Sequence, residues 1–400
     1  MNFKGYVRPD GKVGIRNYTL ILANGKGIGN LATQVHRLVR GCKLFVPPNE
    51  NGRDTPDRQA IARTIVGLAK NPNVGAVLIM GIKKSGGYPE FTREAIVDEI
   101  MATGKPVDSV FLENCQGGSY EALGEALLKA RQLSRAASEA ERETVDLGRL
   151  CMGVKCGYSD ATSGMAGNPT VGFLFDRIVE AGGTAMFAET TEVIGAEHLV
   201  AKRFTDPAER SKFLAAVAKV EADAKATGED IRTINPIPAN ILVGLTTLEE
   251  KSLGAIAKAG HMPITSCLKY AEIPARPGLH FMDAWMSSST LFLGYAAAGS
   301  ALNIFQVGGG WFPDRMMMPT YNAGVVTPTL YMTGNPRTFA KTSRDMDFSA
   351  GEVISQREPL ARSGERLVDS VLRIASGRLT MGETWDLDDA VDVYLRGPGL

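Results

Sequence analysis

The fold is decided by one segment, Cys151–Arg203, which reads CMGVKCGYSDATSGMAGNPTVGFLFDRIVEAGGTAMFAETTEVIGAEHLVAKR. Its first part, Cys151–Val154, is a short apolar run typical of a buried strand. A loop rich in Gly, Ser, Asp and Asn follows (Gly157–Asn168). Pro169 then suits the first turn of a helix, because the N–H that proline lacks is unpaired at that position anyway. Apolar residues at helical spacing lead to Gly182–Gly183, which predicts the end of this helix.

A second strand, Thr184–Ala188, and a further helical element over Thr191–Lys202 complete a β-loop-α-β-loop-α unit. Polar side chains follow both strands, and in open α/β sheets ligands bind at the carboxyl ends of the strands. These side chains are Lys155, Cys156, Ser159, Asp160, Ser163 and Asn168 in the first loop, and Glu189, Thr190 and Glu192 in the second. Thiolate, carboxylate and hydroxyl groups suit a divalent metal or a hydroxy acid. The alternative is that Ser, Asp and Asn only cap helices and fill turns.

The rest of the chain repeats this alternation of strands and helices. Strands are predicted at Tyr18–Ala23 and Val74–Met80 in the first part, and at Ile241–Leu245 in the second. Two closing helices are predicted at Gly364–Ser376 and Thr384–Tyr394. We therefore expect an α/β protein with two Rossmann-like lobes, residues 1–145 and 146–400, each with a mainly parallel sheet covered by helices.

Composition excludes several classes of function. The 400 residues contain 44 lysines and arginines and 44 aspartates and glutamates, so no net field favours nucleic acid or a membrane surface. No apolar run approaches the ~20 residues of a membrane span, and the first residues lack the apolar core of a signal peptide. Five cysteines, odd in number and widely spaced, do not form a disulfide framework. A cytoplasmic location is expected.

Long phrases carry a family resemblance. CGYSDATSGMAGNPTVG, followed by ETTEVIGAEHL, resembles the altronate and galactarate dehydratase family, whose large chain has a C-G-G-S-D-x-x-S-G-x-x-x-N-P-x-x-G stretch and then E-x-x-E-x-x-G-A-E. The opening GYVRPDGKVGIRNY, NPNVGAV at Asn71–Val77 and KYAEIPARPGLHFMD at Lys269–Asp283 are also similar to that family. Tyr158 stands where the family usually has a second Gly. The resemblance covers nearly the whole chain.

The resemblance implies a lyase that eliminates water or sulfite from a small hydroxy acid such as a sugar acid or sulfolactate. Such chemistry needs a base for the proton α to the carboxylate, an acid for a leaving hydroxyl and a cation for the enolate. The expected cofactor is a divalent metal, Fe²⁺ first, with Mn²⁺ or Mg²⁺ as alternatives. The implied residues are Lys155, Asp160, Glu189 and His198 for catalysis, Cys156 and Glu192 for the metal, and Arg16, Asn17, Lys83, Lys84, Ser159, Ser163 and Asn168 for substrate.

Two segments depart from the family pattern. An H-T-H-G-C-like segment is replaced by LFVPPNENGRDT (Leu44–Thr55), and a G-L-G-C-E-like phrase by GIKKSGG (Gly81–Gly87). Two soft metal ligands are thus missing, and Lys83 and Lys84 add positive charge that favours a substrate with a second anion. The alternative function is a non-catalytic sugar-acid-binding or regulatory homologue.

The opening phrase also bears on assembly. Fused family members carry a small domain before GYxRxDG, whereas this sequence begins almost at that phrase. It therefore resembles the large subunit of a split enzyme. The expected partners are a small anionic substrate and a separate small subunit, within an oligomer.

Overall fold

A computed structural model of the chain describes residues 1–48, 52–83, 87–309, 324–385 and 391–397. The strands in this part of the chain are β1 Asn2–Val7, β2 Val13–Gly14, β3 Tyr18–Ala23, β4 Cys42–Phe45, β5 Val74–Gly81, β6 Val107–Phe111, β7 Glu143–Asp146, β8 Cys151–Gly157, β9 Thr184–Phe187, β10 Ile264–Leu268, β11 Gly278–Met282, β12 Leu302–Val307, β13 Thr329–Thr333 and β14 Phe348–Ser349.

The helices are α1 Gly29–Leu38, α2 Thr55–Lys70, α3 Glu99–Met101, α4 Gly118–Ala137, α5 Asn168–Glu180, α6 Glu197–Ala201, α7 Pro207–Ala226, α8 Ile231–Ile234, α9 Pro238–Leu242, α10 Leu248–Ile256, α11 Ser288–Ala297, α12 Pro336–Thr342, α13 Glu352–Ser355 and α14 Leu360–Ala375. No helix among the described residues is both long and apolar enough to cross a membrane.

Two parallel sheets dominate the fold, which confirms the predicted α/β class. The first has the order β4-β3-β5-β6, and the second has the order β10-β11-β9-β8-β12-β13-β14. A small antiparallel sheet, β2-β1-β7, combines two strands that precede the first parallel sheet in sequence with one strand that lies between the two parallel sheets. The interior strands β5 and β12 are buried along their whole length, and β5 contains only apolar residues and glycine, as expected for parallel strands covered on both faces.

The order in which strands are added to the seven-stranded sheet reverses at its centre, although all of its strands are parallel. From β8 the chain builds outward through β9, β11 and β10 on one side, and β12, β13 and β14 occupy the other. Strands β8 and β12 are neighbours, and their carboxyl ends, Gly157 and Val307, are paired in register. Ligands of open α/β sheets bind at the carboxyl ends of the strands where the strand order reverses in this way. The segment singled out from the sequence therefore ends its first strand at the switch point of the sheet.

Two asparagines of the NPNVGAV phrase join the lobes. Asn71 Nδ2 donates to the carbonyl oxygens of Ala296 at 2.7 Å and Ser300 at 2.9 Å. Asn73 Nδ2 donates to two more carbonyls of the second lobe, at 2.8 and 3.0 Å, while its Oδ1 accepts from the N–H groups of Ile15 and Arg16. Both asparagine side chains are fully buried. This phrase is consequently a structural joint.

Three predicted elements need correction. Ile241–Leu245 is not a strand: Pro238 begins helix α9 there, where a proline is tolerated in the first turn. The predicted helix over Thr191–Lys202 is interrupted, because a 3₁₀ turn ends at Glu192 and α6 begins only at Glu197. Of the second closing helix, Thr384–Tyr394, residues 386–390 lie outside the described chain, and 391–394 are not helical. The first closing helix is confirmed by α14. The lobe boundary predicted at 145/146 falls within β7 and stays a prediction.

We expect Asn73→Ala to destabilise the chain by about 3 kcal/mol or more. The substitution leaves buried N–H and carbonyl groups of both lobes without partners, and each costs about 1–3 kcal/mol. Urea unfolding monitored by circular dichroism measures the loss, with Asn114→Ala at an exposed position as the control. Equal stability of the two variants would contradict the role of Asn73 as a joint.

A second expectation concerns pH and His280 on β11. Burial, with Arg276 nearby, lowers the pKa of His280 from 6.5 to about 4. Its Nδ1 lies 2.8 Å from Ser266 Oγ and its Nε2 lies 3.1 Å from the carbonyl oxygen of Arg276. Because the folded pKa lies below the unfolded value, the unfolded state binds more protons between pH 6.5 and 4, and stability falls as the pH drops through this window.

Between pH 7 and pH 5 this linkage removes roughly 2 kcal/mol from the free energy of unfolding. In His280→Gln, whose amide keeps a donor for Arg276 but does not titrate, the loss over the same interval should be smaller by that amount. Urea titrations of both proteins at the two pH values test it. An equal loss of unfolding free energy in the two proteins would mean that His280 is not protonated on unfolding in this range.

Candidate active site

A buried carboxylate lies at the centre of the site. Glu189 follows β9 and is completely buried. Its Oε2 accepts from Lys258 Nζ and from the N–H of Cys156 at 3.3 Å, and its Oε1 lies 3.2 Å from Lys155 Nζ as an ion pair. Lys258 Nζ also lies 3.4 Å from Cys156 Sγ. We call Lys155, Cys156, Glu189 and Lys258 the lysine–carboxylate cluster.

Burial and charge together set the protonation states of the cluster. Burial alone would raise the pKa of Glu189, but Lys258 and Lys155 hold it below its ordinary value. Burial would lower the pKa of Lys258, whereas Cys156 and Glu189 raise it above the usual lysine value. For Cys156 burial dominates and raises the pKa of the thiol. At neutral pH the cluster therefore holds an ionised carboxylate between ammonium groups, with a protonated thiol beside them.

Two residues of this edge adopt left-handed backbone conformations. Glu189 has φ 74° and Tyr158 has φ 52°. Such conformations cost non-glycine residues on the order of 1–3 kcal/mol and are found mainly at functional sites. At Tyr158, where the family usually has glycine, the ring stacks on Phe305 with centroids 6.5 Å apart. At Glu189 the conformation accompanies the turn of the carboxylate into the cluster.

Asp160 connects the loops that leave three neighbouring strands. Its Oδ1 accepts from Thr162 Oγ1 at 2.6 Å and from the N–H of Ser163 at 3.1 Å. Its Oδ2 accepts from the N–H of Gly309 and from Asn335 Nδ2, both at 2.7 Å. Both oxygens are thus engaged by donors of the chain itself, which makes Asp160 an anchor of the loops.

Glu192 is placed differently from these two carboxylates. Its Oε1 lies 3.1 Å from Lys251 Nζ, and its buried Oε2 has no hydrogen-bond partner among the described residues. Lys251 Nζ in turn donates to Asn235 Oδ1 at 2.6 Å. Glu192 acts electrostatically on both Cys156 and Lys258, so it belongs to the same site.

Two cavities border this edge and share Asp160 and Ala161. One of about 340 Å³ is lined by Ser159, Ser163, Asn168 and Lys251 among others, and one of about 710 Å³ by Gly309 and Asn335. A third cavity of about 500 Å³ includes Cys151 and Arg149 and lies at the amino ends of the strands. The first two are the right size and place for a small acid.

The remaining predicted site residues lie elsewhere. Arg16 forms a buried ion pair with Glu383 and donates to carbonyls of the second lobe, and Asn17 bonds Arg8 and the carbonyl of Ala137. The side chain of His198 is exposed on α6, and that of Lys83 is exposed beyond the end of β5, in the other sheet. Lys84 lies outside the described residues. None of these is part of the lysine–carboxylate cluster, so their roles stay predictions.

Sequence reasoning missed Lys251 and Lys258. Lys251 lies in α10, and Lys258 lies in the 3₁₀ turn that follows it. Lys251 is 7% exposed and Lys258 is 1% exposed. The only signal in the sequence was a pair of lysines seven residues apart, which places them on one helix face. That pattern alone does not distinguish a solvated face from a buried one.

The donor set does not fit a divalent metal held by the described residues alone. Among them, no three His, Cys, Asp or Glu side chains are grouped as a metal site. The expected pair, Cys156 and Glu192, is separated by lysines, and an ammonium group already neutralises Glu189. A thiolate is the form of cysteine that binds metals, whereas the pKa of the Cys156 thiol is raised. The predicted Fe²⁺, Mn²⁺ or Mg²⁺ would need ligands from outside the described residues.

The fold and the cluster define a class: an α/β enzyme with its site at the carboxyl edge of a parallel sheet. Family comparisons agree. The model of the C-terminal domain of D-galactarate/altronate dehydratases matches residues 147–396, and that of the second domain of D-galactarate dehydratase/altronate hydrolase matches residues 5–138. The chain belongs to the galactarate and altronate dehydratase family. Its predicted membership is confirmed.

Individual relatives are of two kinds. The (2R)-sulfolactate sulfo-lyase subunit beta of Chromohalobacter salexigens is 36% identical over 384 residues, which are 95% of this chain and 94% of that relative. Altronate dehydratase of Escherichia coli is 28% identical and galactarate dehydratase (L-threo-forming) of the same organism 27%. Those matches cover 95% and 99% of this chain but 75% and 77% of the dehydratases. All three relatives are lyases, which confirms the expectation of a lyase.

We expect Lys258→Met to lose about 3–5 kcal/mol of stability, because it leaves Glu189 buried with one ammonium group fewer. Activity should fall by at least ~10²-fold. Adding Glu189→Gln should recover at least half of the lost stability, since no buried charge then lacks its partner, while activity stays low. Urea unfolding and turnover assays measure both.

Lys105→Met is the matched control. Lys105 is a buried lysine that donates to the carbonyl oxygens of Ala69 and Asn71, with no role in the cluster. Its turnover per folded molecule should equal that of the parent. If Lys258→Met keeps full activity, the lysine–carboxylate cluster is only structural.

Proposed function

We propose that this chain is the large, catalytic subunit of a two-chain lyase that removes sulfite from a 2-hydroxy-3-sulfonate acid such as sulfolactate. The observation that carries the proposal is the match to a relative named as a sulfo-lyase subunit, which spans 94% of that relative at 36% identity. The dehydratases are less similar and are spanned only in part. The five free cysteines suit a reducing compartment, and we propose the cytoplasm.

The charge of the site supports an anionic substrate. Lys155 and Lys258 are both buried, and only Glu189 lies between them as a negative charge. With the Cys156 thiol protonated, the cluster has one positive charge in excess. Excess buried charge is costly unless a counter-charge binds. A substrate carboxylate or sulfonate is the counter-charge that we propose.

The elimination can be written with a complete balance. A base takes the proton from C2, the electron pair of that C–H bond forms the C2=C3 double bond, and the C3–S bond breaks with its electron pair on sulfite. The resulting enol takes a proton at C3, loses the proton of its C2 hydroxyl and becomes a 2-oxo acid. The leaving group needs no protonation, unlike a hydroxyl. Negative charge that develops on the carboxylate as C2 loses its proton is stabilised by preorganised cations.

Roles for this chain's residues follow from their surroundings. Glu189 is held between two ammonium groups and is a poor base, so it orients Lys155 and Lys258, which stabilise the developing charge. Glu192 has one oxygen without a hydrogen-bond partner in the described chain and is the proposed base. Ser159, Ser163 and Asn168 line the 340 Å³ cavity and are the proposed polar contacts to the acid.

The test is an assay of the chain together with the proposed small chain. Sulfite and a 2-oxo acid should appear in equal amounts from 3-sulfolactate. The value of kcat/KM for 3-sulfolactate should be at least ~10-fold above the values for altronate and galactarate, because the sulfonate of the substrate makes a charge-assisted contact with the ammonium groups of the site. Glu192→Gln should reduce kcat by at least ~10²-fold. Glu249→Gln, at an exposed position, is the matched control.

Faster release of water from a sugar acid than of sulfite from sulfolactate would overturn the sulfonate assignment while keeping the lyase. Full activity of Glu192→Gln would remove that residue from the role of base. Binding of an acid without turnover, across the whole panel, would favour the alternative of a binding or regulatory homologue.

A further inference from the structure

Exposed apolar side chains line the two cavities or lie on and next to α9. We call this set the apolar rim, and its members, all at least one-third exposed, are Met165, Ile237, Ile241, Leu242, Leu253 and Ile354. Leu242 is 87% exposed, an extreme value for a leucine in a folded chain. Contiguous apolar surface of this kind marks binding sites on soluble proteins, whereas single exposed residues need no explanation.

The burial pattern of residues 234–242 is inverted. In this stretch Ile234, Ile237, Ile241 and Leu242 face solvent, while the asparagines at 235 and 240 are buried. Asn240 Nδ2 donates to the carbonyl oxygen of Ser159 at 2.9 Å, so helix α9 is fixed to the loop that follows β8. A short helix that buries its polar residue and exposes its apolar ones is arranged to contact another body.

The apolar rim is continuous with the candidate active site. Met165 and Leu253 line one cavity, Leu242 and Ile354 line the other, and the two cavities meet at Asp160. A body seated on the rim would therefore cover the openings of both cavities.

The site also has buried acceptors to satisfy. Asn168 Oδ1 and Asn240 Oδ1 are buried and have no hydrogen-bond partner among the described residues. Both are acceptors, so the missing groups are donors or cations. An unpaired buried acceptor costs free energy, which favours a partner that brings donors to this edge.

We propose that the apolar rim is the docking surface for the separate small chain of the two-chain lyase, and that the bound small chain closes the site over Asp160. The inference rests on the proposed function for the existence of that chain. The partner's contact face is apolar at its centre, to pack on Leu242 and Ile241, and carries hydrogen-bond donors where it meets the site. The site is therefore completed only in the assembly.

Coverage of the relatives favours this occupant over a second copy of the same chain. The relative matched along 94% of its length is named as a subunit, so it works with another chain. The dehydratases are matched along only 75–77% of theirs, so about a quarter of each lies outside the shared region. A self-contact would place two rims together and would bring no new donors to the acceptors of the site.

The test uses the full chain and the proposed small chain, each purified. Leu242→Asp should raise the Kd of their complex at least about 30-fold, because burying a leucine at the centre of an interface contributes about 2 kcal/mol and tenfold is 1.4 kcal/mol. The fold should be unaffected, since the side chain is 87% exposed, and circular dichroism checks this. Leu128→Asp, at a 61% exposed leucine on α4, is the matched control and should bind as the parent does.

Hydrogen exchange gives a second measurement that does not depend on a variant. Amides in residues 237–245 should become protected when the small chain is added, and those around Leu128 should not. Unchanged Kd for Leu242→Asp, or protection only elsewhere, would overturn the docking surface. A dimer of this chain that Leu242→Asp dissociates, while small-chain binding is retained, would overturn it in favour of a second copy. If Leu242→Asp disrupts the complex, but the parent complex releases neither sulfite nor water from any acid, the proposed function is refuted and the docking surface still stands.

Discussion

A carboxylate without access to water is the constraint on which the rest of this structure depends. Glu189 is fully buried, and removing a carboxylate from water costs several kcal/mol unless cations and donors replace the lost hydration. Lys155, Lys258 and the N–H of Cys156 provide that replacement. Because the three come from β8 and from the turn after α10, one buried charge draws together parts of the chain about a hundred residues apart. The left-handed backbone at Glu189 is a further cost that this pairing offsets.

The same edge shows how charge determines which chemistry is available. Ammonium groups lie next to the buried carboxylate and thiol, and the described residues include no group of three His, Cys, Asp or Glu side chains that could bind a metal ion. Three carboxylates lie at this edge in three different states of engagement. Asp160 is saturated by donors from its own loops, Glu189 is shared between lysines, and Glu192 keeps one oxygen without a hydrogen-bond partner in the described chain. Their environments, more than their identities, assign them different tasks.

The scaffold beneath the site is held by polar contacts as well as by apolar packing. Apolar side chains of both sheets share one hydrophobic core, with Leu22 and Phe45 from the first and Phe305 and Tyr331 from the second. Apolar packing is not directional, so it does not by itself fix how the lobes are rotated. The hydrogen bonds of the NPNVGAV asparagines supply directions, because each amide is matched to particular carbonyls across the lobe boundary. The phrase that resembles the family most plainly in the first lobe is thus a joint rather than a substrate contact.

The sequence by itself determined the elements whose signals are local. Fully apolar runs such as Val74–Met80 and the glycine-rich break after Cys156 depend only on neighbouring residues, and so β5, β8 and the loop at the switch point were predictable. The structure of Ile241–Leu245 was not predictable, because an apolar run predicts a buried strand and does not show whether the same chain or a different one would bury it. The tertiary structure decided which charges meet. Lys258 reaches Glu189 across 69 residues of chain, and Arg16 pairs with Glu383 across 367 residues. Pairing of distant charges depends on how helices and strands pack, and periodicity in the sequence predicts the individual helices and strands but not their packing.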